Sequence, residues 1–178
     1  MSTIKLFKNV HTIDCVTFNW CMALKHREII TQFSKLLSTS ADGLGYLVLG
    51  VGFLIFNVEQ NRALFLALCL AFLIERIIYL VIKNGFKRNR PGSAIDGFKM
   101  FIKPSDQFSF PSGHTSGAFL FATFIAFLFP QFCMLVYIWA ASIACSRIFL
   151  GVHFPTDTLA GMSIGVIVGK LVIAGVLL

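Results

Sequence analysis

Apolar residues in this chain gather into long runs, separated by short polar breaks. The first run is residues 43–57 (GLGYLVLGVGFLIFN), extended by Ala41. The second, residues 63–82, is interrupted only by Glu75 and Arg76. A polar, basic connection covers residues 84–112. Three more runs follow at 113–129, 132–149 and 156–178, the first two divided by Phe129-Pro130-Gln131. A helix that crosses a membrane needs about 20 mostly apolar residues to cover a hydrocarbon core about 30 Å thick. The pattern predicts an all-α, integral-membrane helical bundle with five transmembrane helices.

The N-terminal stretch has a different rhythm. Between Ile13 and Leu37 the apolar residues Val16, Trp20, Leu24, Ile30 and Phe33 recur every three to six positions, with charged residues between them. This predicts an amphipathic interfacial helix, or one packed across the end of the bundle. Asp42-Gly43 marks a break before the first span. In the last run, Gly161, Gly165 and Gly169 flatten one helix face. Such a stripe admits a neighbouring backbone. A partner inside the bundle is the first expectation and a homodimer seam the alternative. Lys170 is expected to snorkel to an interface. Glu75 and Arg76 are costly in lipid and should face the protein interior or an interface, as a structural ion pair or cap.

Composition sharpens the picture. Hydrophobic residues make up 57% of the 178 and charged residues 13%, against about 25% charged in a soluble domain. The mean hydropathy is +0.82. These values exclude a disordered chain and argue against a soluble one. The net charge of +7 could suit nucleic acid, a membrane surface or an anionic substrate. Almost no polar domain exists to carry a nucleic-acid surface, so no nucleic-acid partner is expected. The five cysteines form no CxxC pair and read as free, buried thiols. No cleavable leader is expected, because Lys5, Lys8 and Asp14 precede a late first apolar run.

Three polar clusters sit at the edges of the runs. They are Lys83 to Arg90-Pro91, Pro111-Ser112-Gly113-His114, and Ser146-Arg147 to Gly151, His153 and Asp157. The second span ends at the first cluster and the third span starts at the second. The chain then crosses, turns at Pro130 and returns to the third. All three therefore lie on one membrane face. If the helix continues toward Pro91, then Lys83, Lys87 and Arg90 share one side of it. With Arg147 they make a cationic nest suited to an oxyanion with several oxygens. Ser112-Gly113 opens a helix whose free amides bind anions. Asp157, four residues after His153, can fix the tautomer of that ring and leave its other nitrogen free as a nucleophile. His114 can protonate a leaving oxygen. This is a phosphoryl-transfer constellation. A metal held by His114, His153 and Asp157 is the rival reading, and the surrounding cations oppose it.

The three clusters resemble the KxxxxxxRP, PSGH and SRxxxGxHxxxD motifs of the type 2 phosphatidic acid phosphatase (PAP2) superfamily. They are intact, in order, and span residues 83–157. The resemblance implies one phosphatase domain over residues 1–178, with 1–40 as its amphipathic segment and 41–178 as the catalytic bundle. It implies His153 as nucleophile through a phosphohistidine, Asp157 as its partner and His114 as general acid. Lys83, Arg90, Ser112, Gly113 and Arg147 would hold the phosphoryl oxygens, with no metal or other cofactor. The implied substrate is a membrane lipid such as undecaprenyl diphosphate, phosphatidylglycerophosphate, phosphatidate or lipid A. A phosphotransferase using a polyprenyl diphosphate donor is the alternative on the same site, and a non-catalytic transporter or partner subunit the alternative of another class. A vanadate haloperoxidase shares the pocket type, but a membrane-embedded site favours a lipid phosphate. The family resemblance implies an extracytoplasmic site in a bacterial cell membrane. Counting bases argues the reverse, because most Lys and Arg lie on the active side. The aromatic residues of the 92–110 connection, Phe98 and Phe101 among them, are expected to dip into the headgroup layer and shape lipid access.

Overall fold

The computed structural model describes residues 2–43, 45–46 and 58–177. The predicted first span, residues 43–57, lies outside the described residues except at positions 43, 45 and 46. Helix α1 is Ser2–Met22, α2 Arg27–Ser40, α3 Val58–Phe86 and α4 Pro91–Ala94. They are followed by α5 Gly113–Leu128, α6 Cys133–Phe149 and α7 Pro155–Val172. A 3-10 turn, Pro130–Phe132, joins α5 to α6, and a π-helical end, Ile173–Leu177, closes α7. No strand occurs among the described residues. Over their described residues, the other four predicted runs are helical apart from Phe129. Three helical stretches are long and apolar enough to cross a membrane: Arg62–Ala94, Pro130–Phe149 and Pro155–Leu177. Gly113–Leu128 is apolar but shorter.

Helix α5 is apolar on every side, as a helix at the centre of a bundle must be. It sits between two clusters of packed side chains. One joins Ala67, Leu68 and Ala71 of α3 to Leu120 and Phe124 of α5 and to Val168 and Val172 of α7. The other joins Ala118, Phe119 and Ala122 of α5 to Ala140 and Ile143 of α6. The glycine stripe of α7 lies against α5. A methyl group on Gly165 would stand 2.2 Å from the Ser116 carbonyl oxygen, and one on Gly161 2.5 Å from that of Ser112. The stripe is thus buried within the bundle, which removes it as a homodimer seam. Small residues here let two backbones approach at the level of the His-bearing motifs.

The N-terminal segment is two helices rather than one, broken at His26, whose φ is 60°. Their amphipathicity is turned inside out. Helix α1 buries Asp14 together with Phe18 and Cys21 and exposes Ile13, Val16 and Trp20, while α2 buries Thr31, Ser34 and Ser38 and exposes Ile29, Phe33 and Leu36. The polar face of α2 therefore packs inward onto α6, and α1 packs onto α6 and α7 through a mixed face. In a lipid solvent this is the favourable sense, because polar groups find partners only inside the protein. The cysteines are unpaired, but only Cys21 is buried. Cys69, Cys133 and Cys145 face outward.

Candidate active site

Helix α3 stops at Phe86 because Lys87 takes a left-handed backbone conformation, with φ of 46°. The expected helical face of Lys83, Lys87 and Arg90 therefore does not form, and the Lys87 side chain is exposed. Arg90 reaches the site by another route. As the extended residue before α4 it turns inward, 3% exposed, beside Lys83, 5% exposed. Both cations converge on one oxygen: Lys83 Nζ lies 2.8 Å and Arg90 Nη2 2.7 Å from Asp106 Oδ1. Tyr79 donates to the other carboxylate oxygen at 2.7 Å. Burial alone would raise the pKa of Asp106, but the hydrogen bonds from Lys83, Tyr79 and Arg90 outweigh it and hold the group down at about 2. Asp106 thus fills the cationic seat with an anion of the protein's own.

His153 follows the turn at Gly151, whose φ is 73°. It is 2% exposed. Its Nδ1 faces Asp157 Oδ2 at 3.7 Å, beyond a hydrogen bond. Its Nε2 faces Arg90 Nη1 at 3.4 Å. Burial pushes its pKa down to about 4, against the opposing pull of Asp157. The ring is therefore neutral at neutral pH, the state a nucleophile needs. Asp157 is fixed from both sides. Phe154 N–H donates to Oδ2 at 2.8 Å and Arg88 to Oδ1 at 2.7 Å. The other arm of Arg88 donates at 2.6 Å to Asp14 of α1. The Arg88 guanidinium also lies 4.4 Å over the Phe154 ring. The N-terminal helix is thereby tied to the carboxylate behind His153.

His114, in the first turn of α5, approaches Asp42 Oδ1 with Nε2 at 3.0 Å. Arg147, at the end of α6, donates from Nη1 to Ser38 of α2. Its buried Nε has no partner among the described residues. Ser112 departs from expectation. Its hydroxyl is paired with Thr115 at 2.9 Å and its N–H with the Asp157 carbonyl at 3.0 Å. Its N–H ties the start of α5 to α7, and Ser112 is not among the residues that line the cavity. Gly113 does line the cavity, and a side chain there would meet the Tyr79 ring at 2.9 Å.

One cavity of about 630 Å³ unites the parts. Lys83, Arg90, Gly113, His114, Arg147 and His153 all line it, so two imidazoles and three cations share one space. No group of three or more His, Cys, Asp or Glu side chains suited to a metal gathers among the described residues, and the set His114, His153 and Asp157 is not assembled as ligands. Glu75 and Arg76 both line the cavity as well; Glu75 is buried, while exposed Arg76 lays its guanidinium 4.9 Å over the Tyr79 ring, so the expected structural pair is not a direct salt bridge among the described residues. The 92–110 connection is anchored more firmly than expected. Phe98 packs edge-on against Phe18 of α1 at 5.1 Å and covers Gly151, and the Arg27 guanidinium lies 4.5 Å over Phe101.

Sequence reasoning missed Asp106, Asp42, Tyr79 and the pair Asp14–Arg88. Tyr79 had a legible signal, standing four residues before Lys83 on the same helix face. Asp42 read only as a turn marker. Asp106 and Asp14 are single acidic residues among bases, and local pattern cannot say where a loop or a separate helix will fold back.

Comparison with known proteins matches residues 64–177 to the PAP2 superfamily. The phosphatidylglycerophosphatase B of Bacillus subtilis (strain 168) is 33% identical over 156 residues, covering 82% of this chain and 72% of the relative. The lipid A 4'-phosphatase of Porphyromonas gingivalis is 33% identical over 130 residues, covering 67% of this chain. This chain spans only 55% of that relative's length. Among solved structures, the Aquifex aeolicus LpxE superposes with a TM-score of 0.78 at 25% identity, over 90% of this chain and 94% of that one.

Proposed function

The chain belongs to the PAP2 superfamily, and from that premise we propose that it is a membrane lipid phosphatase working through a phosphohistidine. The observation that carries this reading is the setting of His153. Its Nδ1 is turned to Asp157, its Nε2 to the cations, and its cavity is shared with His114. The support is geometric and electrostatic, and the family's activity agrees with it.

In the proposed reaction the phosphoryl group takes the seat that Asp106 fills. Lys83, Arg90 and Arg147 hold its oxygens, with the free amides at the start of α5. His153 Nε2 attacks phosphorus. The bond to the lipid oxygen breaks, its electron pair stays with that oxygen, and His114 supplies the proton. Asp157 balances the positive charge that grows on the ring. Water then attacks the phosphohistidine, giving its proton to His114. The P–N bond breaks, the pair returns to Nε2, and inorganic phosphate leaves. The clustered cations supply the charge stabilisation, so no divalent ion is required.

In this reading the bundle crosses the membrane five times and the site faces away from the cytoplasm. Several bases on the active side do not act as topology signals, because the protein uses them internally. Arg88 is bound by Asp14 and Asp157, Lys83 and Arg90 by Asp106, and Arg27 by the Phe149 carbonyl. That weakens the opposing count of charges.

The test is phosphate release by purified protein in detergent, with chelator, from undecaprenyl diphosphate, phosphatidylglycerophosphate, phosphatidate and lipid A. At least one lipid should be turned over, and His153→Ala should abolish turnover. Full activity in His153→Ala overturns the mechanism. Phosphate appearing on a second lipid instead of in water overturns hydrolysis.

A further inference from the structure

Below the phosphate seat the cavity continues along α3. Its wall is Lys83, Tyr79, Glu75, Phe72, Leu68 and Phe65, spaced three to four residues apart on one helix face. At 1.5 Å per residue the wall is about 27 Å long, close to the depth of a hydrocarbon core. Such a groove takes a lipid tail beside the bundle. Below Tyr79 this helix lines the cavity with apolar side chains and two charged ones, of which Arg76 is exposed and only one side chain is buried.

That side chain is Glu75. It is 5% exposed, it lines the cavity, and its Oε1 has no hydrogen-bond partner among the described residues. The buried Ser116 hydroxyl of α5 interacts with this carboxyl, while Oε1 keeps no partner among the described residues. A buried carboxyl oxygen left unpaired at this depth costs several kcal/mol. A leucine in its place would extend the apolar wall at no such cost. The group therefore serves something that enters the groove. Glu75 lies eight residues from Lys83, about 12 Å further along the axis. A chain reaching that far from the reacting phosphate passes a glycerol or sugar linker and arrives among acyl esters, amides or hydroxyls. A polyprenyl diphosphate at the same depth offers only hydrocarbon.

We propose that Glu75 forms a second polar subsite, which hydrogen-bonds a carbonyl, amide or hydroxyl in the linker of an acylated phospholipid and so favours acylated substrates over polyprenyl diphosphates. This rests on the lipid-phosphatase reading and narrows its substrate class. Glu75 is a specificity-determining residue here, with no part in bond-making.

The test compares wild type, Glu75→Leu and Glu75→Gln on a diacyl phospholipid monoester and on farnesyl diphosphate, in the same mixed micelles. Glu75→Leu should lower the ratio of kcat/KM for the diacyl lipid over the polyprenyl diphosphate about tenfold, through KM. Glu75→Gln, which keeps both a donor and an acceptor, should retain most of the ratio. An unchanged ratio in Glu75→Leu overturns the proposal, with only water at the carboxyl. So does an equal loss in Glu75→Gln. A parallel arm measures thermal stabilisation by a non-hydrolysable diacyl phosphonate. Wild type should gain more stability than Glu75→Leu. If wild type turns over neither lipid, the phosphatase reading fails, and this binding arm still decides the subsite.

Discussion

Replacing Asp106 by Asn should make the enzyme bind its substrate more tightly, although it removes two ion pairs. The carboxylate accepts from Lys83 at 2.8 Å, Arg90 at 2.7 Å and Tyr79 at 2.7 Å. Its pKa falls from 3.8 to about 2, equivalent to about 2.5 kcal/mol of preference for the charged form. The side chain is 34% exposed, so solvent screening reduces that to about 1 kcal/mol. An incoming phosphoryl group must displace this anion before it meets the same cations. Asn keeps the shape and loses the charge. About 1 kcal/mol corresponds to a roughly fivefold fall in KM for lipid and in the inhibition constant for inorganic phosphate, with little change in kcat. The free enzyme should lose stability by a similar amount, because Lys83 and Arg90 are left facing each other, and added phosphate should restore it. The folded pKa lies below the unfolded one. The stabilisation is therefore present above about pH 3.8 and lost as pH falls toward 2. The assays are steady-state kinetics in mixed micelles and thermal unfolding with and without phosphate. A KM that rises or stays constant in Asp106→Asn would refute the reasoning and make Asp106 part of the substrate-bound site.

The other predictions concern the nucleophile, the packing and the N-terminal helix. The acid limb of kcat/KM assigned to His153 should lie near pH 4 rather than 6.5, as burial lowers that pKa to about 4. The unfolded chain takes up a proton between those values and the folded one does not, so stability should fall as pH drops from 6.5 to 4. A limb at 6.5 would contradict the burial argument. Gly165→Ala would push a methyl group to 2.2 Å from the Ser116 carbonyl oxygen and should cost about 3 kcal/mol or more. Gly175→Ala meets nothing within 4 Å and should leave the unfolding temperature unchanged. Asp14→Asn frees one arm of Arg88 and should lower kcat about tenfold with KM nearly constant, as expected of a residue that positions Asp157 from a distance. A matching fall in the folded fraction, read by thermal unfolding, would assign Asp14 to folding alone.

Much of the fold was legible because a bilayer imposes a simple rule. A helix that crosses it must be long and apolar, and four of the five predicted runs lie where helices are described. The placement of the three motifs on one face followed from counting crossings. The glycine stripe signalled a close backbone contact, though whether its partner was a second copy or α5 needed the packing itself. The residues that line the cationic cavity were legible because they stand at span ends in fixed order. The wrong expectations share a cause. Lys87 and Arg90 were placed by extending a helix that stops when one residue adopts a left-handed conformation. Ser112 was assigned to substrate by position, yet its hydroxyl pairs with Thr115 in the adjoining turn and its N–H with the Asp157 carbonyl of α7.

Sequence alone determined that the chain is a helical membrane protein carrying two histidines and a set of cations suited to a phosphoryl group, since periodicity and residue type are local properties. Only the tertiary structure decided where the acidic residues go. Asp106 neutralises the cradle, Asp42 meets His114, Asp14 reaches Asp157 through Arg88, and Glu75 is left waiting in the groove. Each of the first three contacts joins segments far apart in the chain. Burial in a low-dielectric interior makes a charge such as that of Asp14 costly until a partner arrives, and which partner arrives depends on how the helices pack.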